Sequence, residues 1–171
     1  NNMLIIDSQV HIWQNGRMTA HHRQVPTYSI DDLIAEMNSA GVNGAVIHPP
    51  SSLGEAVNLY AEEAVRRHPE KFCILGHFDL LSPDRENIVA NWKKRTGMLG
   101  FRFTFNKPEE KTWWTDGSLD WFWKACEKHD LRVGRGRDPR GSKGGDGRND
   151  ETTHDLSPSS SEQRSLGRPQ G

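Results

Sequence analysis

The sequence predicts an α/β fold, and three observations carry the prediction. Short apolar runs alternate with helix-length amphipathic stretches, and Gly or Pro stands at nearly every junction between the two. The connections between successive apolar runs are long enough for a helix, which implies parallel strands joined by right-handed crossovers. The aromatic residues all lie before Leu131, so the patterned part of the chain ends near there.

The elements follow in order. "IIDSQVHIW", residues 5–13, is the first strand: Ile5, Ile6, Val10 and Ile12 supply its apolar side, while Asp7, Gln9 and His11 recur at every second position and share one face. After an irregular polar stretch, "SIDDLIAEMNSAG" predicts a helix with Ser29 as cap, Ile30, Leu33, Ile34 and Met37 on one side, and Gly41 at its end. "GAVIHPP" is the second strand, closed by Pro49 and Pro50. A helix over about 54–68 places Val57, Tyr60, Ala61 and Ala64 on one stripe, and Pro69 stops it. "KFCILGHFDL" is the third strand. "SPDRENIVANWKKR" predicts a helix capped by Ser82, with Ile88, Val89 and Trp92 inward. "MLGFRFTF" is the fourth strand, "DGSLDWFWKACEKHD" the fourth helix, and "LRV" opens a fifth strand.

The length of 171 residues fits one domain, and a net charge of −1 gives no electrostatic reason to expect nucleic acid or an anionic membrane as partner. Neither a secretory leader pattern nor an apolar run of membrane-spanning length is present, so a cytoplasmic location is expected. Cys73 and Cys126 sit in apolar settings and read as reduced core thiols. Residues 134–171 hold eight glycines against two sizeable apolar side chains, Leu156 and Leu166. Such a segment cannot bury enough surface to offset its ordering entropy, so the chain divides into a folded part, 1–133, and a disordered tail, 134–171.

In open or closed parallel α/β folds, ligands bind at the carboxyl ends of the strands. The residues there are His11 and Trp13, His48, His77 and Asp79, and Arg102. His48 and His77 read either as strand-end groups bonded to neighbouring loops or as pocket residues. Arg102, between Phe101 and Phe103, points away from both and into a different environment, where it serves an internal ion pair or a substrate carboxylate. Trp113 and Trp114 line a pocket mouth or anchor their loop.

Together, "IIDSQVHIW", "GVNGAVIHPPS", "HPEKFCILGHFDL", "GMLGFRFTF" and "WTDGSLDWFWKACEKHDL" resemble, in order, the N-terminal half of the amidohydrolase superfamily, in its lactonase and decarboxylase-like branch. The resemblance covers roughly residues 3–133. It implies a partial (β/α)8 TIM barrel of four to five β/α units, and a parent activity of hydrolysing a lactone or related carboxylated carbonyl compound. It also implies a divalent metal, zinc or manganese, held by a His-x-His pair on the first strand. His11 matches the second histidine of that pair and Gln9 replaces the first, an exchange of imidazole for a poorer ligand. On this reading His11 polarises the substrate carbonyl, Arg102 orients a carboxylate, and His48, His77 and Trp13 complete the substrate pocket. The family's later ligands and its base lie beyond the resemblance, and His154 and Asp155 do not replace them.

The passage from "HDLRV" to "GRGRDPRGSKGG" is abrupt, as a shifted reading frame would make it. The expectation is therefore a truncated, inactive chain. The alternatives are a non-catalytic fragment that self-associates through exposed strand edges, and a small-molecule-binding half-barrel completed by another chain.

Overall fold

A computed structural model of the chain describes residues 3–135, apart from Arg17, His21 and Asn106. Five parallel strands form one sheet in the order of the sequence: β1 (Ile6–Val10), β2 (Gly44–Ile47), β3 (Phe72–Gly76), β4 (Met98–Phe103) and β5 (Arg132–Arg135). Helices α1 (Ile30–Ala40), α2 (Val57–Arg67), α3 (Arg85–Ala90) and α4 (Asp120–Lys128) fill the four connections. The sheet curls into half of a barrel, a partial (β/α)8 TIM barrel with β1 and β5 at its edges.

Local chemistry accounts for most of the boundaries. Ser29 Oγ accepts from the Asp32 amide at 3.1 Å while the Asp32 carboxylate accepts from the Ser29 amide at 2.8 Å, so two orphan donors of α1 are satisfied reciprocally. Gly41 ends the helix at φ 71°, a conformation that costs glycine little. The predicted third helix is shorter than expected. It begins after Asp84, with Ser82 Oγ accepting from the Asp84 amide, and a separate 3-10 turn covers Trp92–Lys94. Asn91 lies at the break, its side-chain amide donating to the Asn87 carbonyl and so competing with the regular ladder.

One face of the sheet packs on the helices. Ala45, Ile47, Phe72, Ile74 and Met98 are buried there, and an aromatic cluster of Phe78, Trp92, Phe101, Phe103 and Phe122 fills the space between β4 and α4. Trp92 buries its indole N–H by donating it to the Gly100 carbonyl at 2.9 Å. The alternating residues Val46, Cys73 and Leu75 face the concave side and are only half buried. Cys126 is buried, and burial pushes its thiol up to about 12; neither cysteine is in a disulfide.

Two irregularities shape the sheet. Between Asp7 and Val10 three steps of β1 oppose two of β2, since Asp7 pairs with Ala45 and Val10 with Ile47. This bulge follows from a local bond: Asp7 Oδ1 accepts from the Gln9 amide at 2.9 Å, taking that N–H out of the ladder. At β4, Ile74 pairs with Met98 but Leu75 with Gly100, leaving Leu99 45% exposed. A side chain at Gly100 would begin 1.9 Å from the Arg132 carbonyl, so only glycine lets β5 approach this closely.

The strand β5 reaches Arg135, which pairs with Phe103. The expected end of the folded part at residue 133 is therefore two residues short, because Gly134 and Arg135 extend the ladder through their backbone whatever their side chains. The remainder of the expected tail, 136–171, with its proposed frame shift, lies outside the described residues. No helix among the described residues is long and apolar enough to cross a membrane.

Candidate active site

The strand ends bring His11, His48 and Arg102 into one electrostatic environment on the concave side. His48 and His77 directly follow Ile47 of β2 and Gly76 of β3, and alternation sets them and Arg102 on the face opposite Ile47, Ile74 and Phe101. Arg102 thus points away from its two phenylalanines, which are buried among the aromatic cluster. The expected row of Asp7, Gln9 and His11 does not form. The bulge puts Asp7 in register with Ala45, on the helix side, while His11, next to Val10, takes the concave side. Asp7 and His11 nonetheless both line a cavity of about 330 Å³ between β1 and α1, with Val10, Trp13, His22 and Met37.

A hydrogen bond to the main chain orients His11. Its Nδ1 lies 2.5 Å from the His48 carbonyl, which can only accept, so the ring proton sits on Nδ1 and Nε2 carries a lone pair. Burial, then the Arg102 charge and His22, lowers its pKa from the ordinary value against the opposing effect of that carbonyl. The neutral ring therefore offers Nε2 as an acceptor, base or ligand rather than as a donor to a substrate carbonyl. His22 stacks edge-on against it with ring centroids 4.9 Å apart. Sequence reasoning passed over His22, which lies in the irregular polar stretch with no periodicity to mark it.

His48 is 6% exposed, and among the described residues neither ring nitrogen makes a hydrogen bond of good geometry, although the Ser8 carbonyl lies near enough to favour the protonated form slightly. Burial first, then Arg102 and His11, pulls its pKa down to about 3. His77 is 7% exposed; the Gly54 carbonyl lies near enough to its ring to favour the protonated form, and Nε2 has no partner among the described residues. Burial is again the main cause of its lowered pKa.

Trp13 lines the cavity beside His11 and is held there by its own bonds. Its main chain exchanges two 2.9 Å hydrogen bonds with Tyr28, and its indole N–H donates to the Val25 carbonyl, pinning the segment that carries His22. Trp113 and Trp114 are half buried, with Phe105 edge-on to both and Trp123 against Trp114, which anchors their loop.

The described residues do not make a zinc or manganese site. No three His, Cys, Asp or Glu side chains among them converge as such an ion requires. His11 has a ligand-competent Nε2, but Gln9 sits within the bulge and is an amide.

No family model matches the sequence, and no curated protein sequence matches it. Solved structures do. A probable 2-pyrone-4,6-dicarboxylic acid hydrolase from Acinetobacter baumannii, with citric acid bound, aligns at a TM-score of 0.57 and 18% identity over 78% of this chain and 49% of that one. An amidohydrolase from Burkholderia multivorans with bound zinc aligns at a TM-score of 0.61 and 18% identity, over 77% of this chain and 48% of that one. The latter enzyme in a second crystal form, with HEPES bound, gives 0.59 and 20%, over 77% and 47%. The chain thus spans about half the length of the solved structures it matches, and its described residues share part of their (β/α)8 barrel fold.

Proposed function

We propose that this chain supplies the N-terminal half of a hydrolase acting on a lactone or related carboxylated carbonyl compound, and that the 171-residue polypeptide alone does not turn over. The observation that carries the reading is the pairing of a guanidinium, Arg102, with neutral imidazoles whose protonation it opposes, His11 and His48, at the carboxyl ends of the strands. Arg102 would hold a substrate carboxylate as a cation and fork. His11 Nε2 would accept a proton or hydrogen bond from the attacking water or from substrate. The chain spans about half the length of the solved structures it matches, and the absence of the other half's contribution to the site is the reason to expect no turnover.

The test has two parts. Calorimetry of the chain with 2-pyrone-4,6-dicarboxylate should detect weak binding that Arg102→Gln reduces about tenfold, or ~1.4 kcal/mol. Sequencing the coding DNA across codons 128–171 should reveal a one-base shift, and the restored protein should hydrolyse the lactone with KM raised by the same substitution. Equal binding by both versions, or turnover by the short chain that His11→Ala abolishes, would sink the proposal.

A second reading, a half-barrel completed by another chain or a second copy, is favoured by the sheet edges. Neither β1 nor β5 has an outer neighbour among the described residues, and Ile6 at one edge is 52% exposed. Light scattering would return a monomer mass if this reading is wrong.

A further inference from the structure

Asn58 is the only amide in the buried stripe of α2, whose other inward residues include Ala61, Ala64 and Val65. It is 1% exposed. Its Nδ2 donates to the His77 carbonyl at 2.7 Å, and its Oδ1 accepts from the His77 amide at 3.3 Å, so one side chain holds both main-chain groups of one residue. It lies hard against the strand end, for a side chain on Gly76 would begin 2.8 Å from Asn58 Oδ1. The same short segment grips the loop twice more. The Gly54 carbonyl lies beside the His77 ring, and Glu55 Oε1 accepts from the Asp79 amide at 2.7 Å.

Packing alone does not account for this arrangement. A buried amide costs free energy that an apolar side chain of similar volume would avoid, so its bonds must answer a need of the main chain they reach. That main chain belongs to a histidine whose Nε2, among the described residues, is left without a partner at more than nine-tenths burial.

We propose that Asn58 is a positioning residue, which fixes the backbone of His77 so that the ring keeps its proton on Nδ1, against the Gly54 carbonyl, and presents the Nε2 lone pair to substrate or water. The role rests on reading the strand ends as a hydrolase's substrate site. Asn58 itself touches nothing that reacts. Its effect passes through one backbone unit, in the way outer residues orient metal-binding or catalytic imidazoles.

The experiment is long-range proton–nitrogen NMR of the histidine rings in the full 171-residue chain at pH 7. In the unaltered protein His77 should show one tautomer, protonated on Nδ1, and its amide should exchange at least about a hundredfold more slowly than an open amide. Asn58→Asp keeps an acceptor for the His77 amide but sets a carboxylate against its carbonyl, and Asn58→Ala removes both bonds. Both should give His77 a mixed tautomer, with amide exchange about tenfold faster, while the Trp92 indole and His11 signals stay in place. Mixed tautomers or fast exchange in the unaltered protein overturn the proposal, and that spectrum decides the matter if neither variant folds. A folded variant with His77 unchanged overturns it as well. Turnover plays no part in these readings, so the hydrolase assignment and the role of Asn58 stand or fall separately.

Discussion

The two faces of the same sheet make a sharp contrast. On the helix side Phe101 is fully buried, in contact with Phe78, Trp92, Phe103 and Phe122, whereas on the concave side Leu75 and Cys73 of the neighbouring strand are half open to solvent. Stability in this half-barrel is therefore one-sided. The polar groups that suit chemistry gather at the strand ends of the face that contributes least to it.

Paired truncations test that contrast most directly. Phe101→Ala should cost about 3–5 kcal/mol in urea unfolding, from lost transfer energy and the cavity left behind. Leu75→Ala should cost only about 1 kcal/mol, since its site already meets water. Similar losses for the two would mean that the concave face is covered in solution.

Acid should strike the strand ends next. The unfolded chain protonates His48 near the ordinary value of 6.5, while the folded chain resists protonation down to about 3. The folded state thus binds fewer protons in that window, so stability is whole above pH 6.5 and falls as the pH drops toward 3. The loss from His48 is about 1.4 kcal/mol per pH unit, or about 3 kcal/mol by pH 4. His11 and His77, lowered for the same main reason, act in the same direction. His48→Gln should flatten the acid limb of the stability profile. An unchanged slope between pH 6.5 and 4 would show that His48 is hydrated in solution.

The smallest effect belongs to residues 136–171. Deleting them should change stability by less than ~0.5 kcal/mol, because they offer so little apolar surface to bury. A cooperative loss of structure in the shortened chain would mean that they pack on the half-barrel.

Much of this was legible in the residues. Ser29 and Gly41 mark the ends of α1 by their own chemistry, and strict alternation around Arg102 was enough to turn it from its phenylalanines. What escaped depends on bonds that pattern does not encode. The Asp7 carboxylate bonds the backbone two residues on and so breaks the alternation that would have aligned Asp7 with His11. Asn58 looks like an interruption in an apolar stripe until the strand end it bonds is brought beside it. His22 reaches His11 only because Trp13 and Tyr28 fold the intervening segment back as an antiparallel bridge. The last two residues of β5 carry glycine and arginine, whose composition points away from a strand that backbone pairing alone sustains.

The strand order has a consequence for how such a chain is made. Every strand pairs with the one synthesised just before it, so each new β/α unit finds its template already waiting and closes only a short loop of chain. Order can accumulate from the N-terminus as the polypeptide emerges from the ribosome, with no pairing deferred to a distant segment. Among the described residues the outer flank of β1 is left unpaired while the later strands add to its other side, and it is a place where a chaperone or a wrongly matched strand would take hold.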